Sequence, residues 1–248
     1  MNHQLAVVTG AARGIGKGIA EVLAHHHIHV VMVDKDESLV KKASNEIGSY
    51  TSAYCCDVSI FESINTMVYE VKQKYGRIDI LVNNAGISPK RNGVKVPIYE
   101  MDPSEWQQVI DVNLTGTFNC TRAIAPYMMD RNYGRIINMS SIAAKSFISV
   151  SGGHYASTKA GIIGFTKAAA GELAPYGITV NALAPGRIQT EMMDEVDTDS
   201  NNLILSQIAS GKFGKAEDVG AAVEFLASEK ANYITGTVLN IDGGWVMA

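Results

Sequence analysis

The chain is poor in cysteine, with three in 248 residues: Cys55, Cys56 and Cys120. Their number is odd and no Cys-x-x-Cys spacing occurs, which argues against a disulfide framework or a zinc site. Scarce, unpaired cysteine suits a reducing compartment. Apolar runs are short, and none approaches the ~20 residues that cross a bilayer. The first residues run into Leu5-Ala6-Val7-Val8 without a signal-peptide layout. Basic charge is not in excess: the formal net charge is −4 and the sequence pI about 5.9. Nucleic acid and membrane are therefore not expected partners, and a soluble cytoplasmic protein is expected.

What is present is enough apolar material for a full core, at 46% of the residues. A chain of this length is expected to form one domain over 1–248. Short β-rich runs recur at Leu5–Val8, Ile28–Val33, Ala53–Cys56, Ile80–Val82, Ile136–Met139, Thr179–Ala182 and Val238–Ile241. Helical stretches lie between them: Ile15–His26, Glu37–Ile47, Ser59–Tyr75, Ser104–Asp130, Tyr155–Pro175 and Ala216–Ala227. Strand–helix alternation predicts an α/β fold, a doubly wound parallel sheet of about seven strands with helices on both faces. Continuous apolar runs, without polar alternation, fit strands covered on both sides.

The first run leads into Thr9-Gly10-Ala11-Ala12-Arg13-Gly14-Ile15-Gly16 and then a helix. Glycines let the backbone approach a pyrophosphate, and the helix N-terminus offers unpaired N–H groups. Asp34 ends the second run at the distance expected of an acid that binds the adenosine ribose. Its carboxylate would repel a 2′-phosphate, whereas Arg13 and Lys35 would attract one. NAD is thus the expected cofactor, with NADP the other option. Asp57 ends the third run, where it can accept from an adenine amino group or cap the next helix.

Tyr155 and Lys159 are one helical turn apart, with Ser141 upstream. An ammonium beside a phenol favours the phenolate. Moving a tyrosine from about 10 to near neutrality takes ~4 kcal/mol. A phenol tuned in this way is a general acid/base for an alcohol or a carbonyl. His25, His26, His27 and His29 sit where a helix meets a strand, far from Tyr155, and no metal site is expected of them.

These motifs together resemble the short-chain dehydrogenase/reductase family from end to end. The matching features are Thr9–Gly16, Asn83-Asn84-Ala85-Gly86, Asn113 in Asp111-Val112-Asn113, Ser141, Tyr155, Lys159, Pro185-Gly186 and Asp242-Gly243-Gly244. The resemblance implies a Rossmann-type fold. It implies that Tyr155 exchanges the proton with substrate, that Ser141 rather than Ser140 holds the carbonyl, and that Lys159 lowers the Tyr155 pKa. Asn113 would position a proton-relay water. Cofactor contacts would come from Gly10, Arg13, Gly14, Ile15 and Gly16, from Asp34, Asp57 and Val58, and from Asn84, Ala85 and Gly86. Tyr155, Lys159, Pro185, Gly186, Ile188 and Thr190 complete the set. Asn83 and Asn84 are also expected to brace the sheet.

Within the family the chain looks most like the 3-oxoacyl-carrier-protein reductase branch and related sugar and polyol dehydrogenases. Two departures bear on substrate. Asn132 and Tyr176 stand where that branch tends to carry basic residues, with Arg131 as a partial substitute. The stretch 88–97 looks longer than that branch requires and holds Lys90, Arg91 and Lys95. With Arg187 and His154 it suggests a pocket for a small anionic, hydroxylated substrate. Met192, Met193 and Phe147 are expected in the lid and pocket wall. Oxidation or reduction of such a substrate is the leading expectation. A 3-oxoacyl carrier-protein or CoA reductase is the alternative, and a non-catalytic cofactor sensor is third. A homotetramer is expected.

Overall fold

The computed structural model describes residues 4–91, 93–190 and 198–247. Seven strands form one parallel sheet in the order β3-β2-β1-β4-β5-β6-β7. They are β1 Leu5–Thr9, β2 His29–Asp34, β3 Thr51–Cys55, β4 Ile80–Asn83, β5 Gly134–Met139, β6 Ile178–Pro185 and β7 Val238–Ile241. The helices are α1 Gly14–His25, α2 Glu37–Ile47, α3 Phe61–Tyr75, α4 Pro103–Ile110, α5 Gly116–Met129, α6 Gly153–Leu173, α7 Thr198–Gln207 and α8 Ala216–Ala227.

β1 shows why the sheet is covered on both sides. Alternate residues of a strand point to opposite faces. Ala6 and Val8 pack with Ile19 and Leu23 of α1 and with Val219 and Val223 of α8. Leu5 and Val7 pack with Ile64 and Val68 of α3 and with Ile124 and Met128 of α5. All these side chains are buried. The two outer strands differ: β3 and β7 remain half-exposed, because each has a neighbour on one side only.

The strand order reverses between β1 and β4, which pair at Ala6↔Ile80, Val7↔Leu81 and Val8↔Val82. Helices leaving neighbouring strands in opposite directions open a crevice at the strands' carboxyl ends.

Helix boundaries follow local chemistry. Asp36 caps α2 by accepting from the Leu39 amide. Asp102 caps α4 ahead of Pro103, whose missing N–H costs nothing in the first turn. The stretch 104–130 is not one regular helix. Asp111–Thr115 forms a π turn between α4 and α5, the kind of insertion often found at functional sites.

Candidate active site

A cleft of about 730 Å³ lies over the carboxyl ends of β1, β4, β5 and β6. Its floor is a lock between two turns. Thr9 Oγ1 accepts from the amides of Asn84 and Ala85, both at 3.0 Å. Asn84 Nδ2 returns bonds to the carbonyls of Thr9 at 2.9 Å and Gly10 at 3.0 Å. Gly10 has φ +63. A Cβ on Gly16 would stand 2.1 Å from the Gly10 carbonyl oxygen. A side chain at either place would break the turn, and without one the main chain forms an open cradle at the α1 N-terminus. That cradle suits a pyrophosphate.

Asp34 is held at the end of β2. It accepts from the Ala12 amide at 3.2 Å and the Asp36 amide at 3.1 Å. Arg13 and Lys35 line the cleft beside it. Asp57 accepts from both the amide and the hydroxyl of Ser59, at 2.9 and 2.6 Å, so its carboxylate also builds the turn after β3. Every residue expected to contact cofactor lines the cleft: the Gly10–Gly16 set, Asp34, Asp57, Val58, Asn84–Gly86, Tyr155, Lys159, Pro185, Gly186, Ile188 and Thr190. The cradle, the strand-end acid and the length of this lining fit a dinucleotide.

The reactive groups converge from β5 and α6. Ser140 is buried and spends its hydroxyl on the Lys159 carbonyl at 2.8 Å. Ser141 caps the one-turn helix Ile142–Ala144 and hydrogen-bonds toward Tyr155. The two serines differ in partners: Ser140 braces α6 and Ser141 faces the phenol.

The tuning of Tyr155 differs from the expected one. Burial pushes its pKa above 10, and Ser141 pulls it partly back. Lys159 does not hold it down in this arrangement. Its Nζ lies over the Tyr155 ring, 5.5 Å from the centroid, and donates to the Met139 carbonyl at 2.6 Å. Burial also lowers Lys159 itself to about 8. A protonated phenol, an adjacent hydroxyl and a buried ammonium make a proton-donating site for a carbonyl oxygen that gains negative charge.

Asn113 is fully buried behind the cleft. Its Oδ1 accepts from the Ile87 amide at 2.8 Å, and its Nδ2 donates to the Ile87 carbonyl and to Thr158. The side-chain amide clamps the turn after β4. Asn83 braces the sheet through Thr121 and Asn138.

On the substrate side the structure departs from several expectations. His154 is fully buried and Arg91 is exposed, paired with Glu105 at 3.3 Å, and neither lines the cleft. Phe147 is 82% exposed, with Lys95 Nζ over its ring, so it is not pocket wall. Arg131 is bound to buried Asp79 at 3.1 Å, alongside Arg77, at the amino end of the sheet. Met192 and Met193 lie outside the described residues. Arg187 does line the cleft, as does Lys90. Arg187 donates from Nε and Nη2 to Asn201 Oδ1 of α7, at 3.1 and 2.6 Å.

One wall of the cleft is not among the residues expected from sequence. Ser104, Gln107 and Gln108 of α4 and Asp111 of the π turn after it line the cleft, and Trp245 closes it from the carboxyl-terminal tail. Their spacing puts the four polar residues on one helical stripe, a signal that was there to be seen. Trp245 follows Asp242-Gly243-Gly244, and nothing local marked where the tail would fold.

Residues 10–246 match a family model described as enoyl-(acyl carrier protein) reductase. Over its whole length the chain is 42% identical to the 3-oxoacyl-[acyl-carrier-protein] reductase FabG of Thermotoga maritima, covering 99% of that protein. A 3-oxoacyl-[acyl-carrier protein] reductase from Brucella melitensis superposes with a TM-score of 0.94 at 39% identity, over 99% of this chain and 92% of that one. A Brucella melitensis reductase solved with bound NAD superposes at 0.91, with 38% identity and the same coverage.

Proposed function

From the short-chain dehydrogenase/reductase family, to which this chain belongs, we propose that it reduces 3-oxoacyl thioesters with NADH. The chain is an NAD(P)-dependent oxidoreductase acting on CH–OH and ketone groups. The carrying observation for the thioester is end-to-end similarity to 3-oxoacyl-carrier-protein reductases, combined with a complete Ser141–Tyr155–Lys159 set. That intact set also counts against a non-catalytic cofactor sensor.

Bound in the cleft, the nicotinamide supplies the hydride. The chain's own residues handle the oxygen. Ser141 donates a hydrogen bond to the carbonyl and fixes its direction. Tyr155, kept protonated by burial, gives its proton as negative charge develops there. Lys159 holds positive charge beneath the ring. The Gly10–Gly16 cradle would hold the pyrophosphate, and Asp34 would accept from ribose hydroxyls. Asp34 also stands where a 2′-phosphate would need to go, which is the reason to prefer NADH over NADPH.

A second reading keeps the reaction and changes the substrate to a small anionic, hydroxylated ketone or alcohol. Arg187 and Lys90 in the cleft wall favour it. Oxidation of NADH, followed by its absorbance, separates the two. Turnover of acetoacetyl thioesters on carrier protein or CoA supports the first reading. Turnover confined to small keto acids or polyols overturns it in favour of the second.

We further propose that the chain is one catalytic and cofactor-binding domain, acts in the cytoplasm and assembles as a homotetramer. Phe118, Phe225, Leu239 and Tyr233 are exposed apolar side chains that an assembly would cover. Light scattering at micromolar concentration tests this, and a monomer alone would count against it. Among the described residues no helix is long and apolar enough to cross a membrane.

A further inference from the structure

His154 stands one position ahead of Tyr155 at the start of α6, fully buried yet outside the cleft. Its ring folds back over its own helix terminus. Nδ1 lies 2.7 Å from the Tyr155 amide nitrogen. An amide only donates, so Nδ1 carries the lone pair and Nε2 the hydrogen. Nε2 faces Oε1 of Glu105, on α4, at 3.3 Å. Both atoms are buried, and neither meets hydrogen-bond geometry with any group among the described residues, so each has only the other as a polar neighbour. The second carboxylate oxygen of Glu105 accepts from Arg91 at 3.3 Å.

The first amides of a helix have no intrahelical acceptor. Gly152, which precedes α6, has no side chain to cap them. The His154 ring supplies the acceptor for the Tyr155 amide instead. The space is made for it: a Cβ on Gly152 would stand 2.5 Å from Cε1 and 2.9 Å from Nδ1 of the ring. Glu105 in turn comes from the helix whose Ser104, Gln107 and Gln108 line the cleft.

We propose that His154, keyed by Glu105, is a positioning residue that fixes the main chain of Tyr155 and ties it to the α4 wall. This rests on Tyr155 as the acid/base group. His154→Phe keeps the ring volume and removes the acceptor. His154→Asn offers Oδ1 to the same amide but cannot span to Glu105. Glu105→Gln leaves the cap and weakens its key.

With full-length protein, His154→Phe should lower kcat by about ten- to a hundred-fold, because ~1 Å of misplacement costs on the order of a hundred-fold. KM for NADH should not change. His154→Asn should recover most of kcat, and Glu105→Gln should lose a few-fold. Deuterium exchange in the peptide containing Tyr155 should quicken in His154→Phe and slow again in His154→Asn. Wild-type kcat and exchange in His154→Phe would overturn the proposal, as would His154→Asn performing no better. If His154→Phe does not fold, Glu105→Gln decides: unchanged kcat and exchange there overturn it. If Tyr155→Phe stays active while exchange responds as described, the acid/base assignment has failed and the positioning of residue 155 stands.

Discussion

Along the β1–β2–β3 side of the cleft, main-chain shape does most of the work. Gly10 and Gly16 leave room, amides at the start of α1 face the opening, and Asp34 is steered by two amides. Along the β4–β6 side, side chains do the work, and they come from distant parts of the chain. Ser141 meets Tyr155 across 14 positions, Glu105 meets His154, and Arg187 meets Asn201. The first wall serves a ligand whose phosphates any backbone amide can hold. The second must recognise one substrate and move one proton. Damage to single side chains should therefore be far costlier on the second wall than on the first.

The sharpest contrast is Tyr155→Phe, which removes the proton donor and keeps the ring. Turnover should fall to no more than a few per cent, in line with the 10²–10⁴-fold of general acid catalysis. NADH binding, read by fluorescence titration, should hardly move. Activity well above that level would remove Tyr155 from the chemistry.

Arg187→Ala comes next and sharpens the substrate question. If Arg187 binds an anionic group, the loss is about 1.5–3 kcal/mol, so KM for the acidic substrate should rise about ten- to a hundred-fold. Neutral alcohols should be little affected. Better turnover of neutral polyols than of their acidic analogues by the wild type would confine Arg187 to holding α7.

On the first wall the effect is expected to be smaller. Asp34→Ala should narrow or reverse the NADH-over-NADPH ratio in kcat/KM, with Arg13 and Lys35 then free to favour the phosphate. A wild-type preference for NADPH would show that those cations outweigh the carboxylate.

Lys159 acts on stability rather than rate. Burial holds it at about 8, against 10.5 in an exposed chain. Between these values the unfolded state binds more protons, so the folded state gains as pH rises from about 8 toward 10.5. The full span is worth about 3 kcal/mol. Denaturant midpoints of wild type and Lys159→Met, compared across that range, should shift in the wild type's favour. Parallel pH profiles would mean that Lys159 is solvated.

The same contrast explains what was legible in the sequence. The glycine turn and Asp34 could be read because local spacing sets them. Glu37–Ile47 and Ala216–Ala227 were read to the residue, since caps and apolar period agree there. Tyr155 and Lys159 are legible in their four-residue spacing, and the family resemblance prefers Ser141 to Ser140. His154 and Arg91 were assigned to the pocket because charge beside a motif suggests substrate. Glu105, distant in sequence, turns both away from it. The clamp that the Asn113 amide makes on Ile87 could not be read from the sequence, because 26 positions separate the two. Phe147 needed its neighbour Lys95 to be placed outside.

The π turn at Asp111–Thr115 sets a rotational phase. In a regular helix each residue advances the face by about 100°. The extra residue lets Ser104, Gln107 and Gln108 of α4 look into the cleft while Asn113, Thr117 and Thr121 look into the protein. Deleting one residue there would regularise the hydrogen-bond ladder yet turn one half of the rod against the other by about a quarter-circle. Either the polar stripe or the buried amide would then face the wrong way. The length of this stretch is therefore under a phase constraint: single insertions and deletions are closed to it.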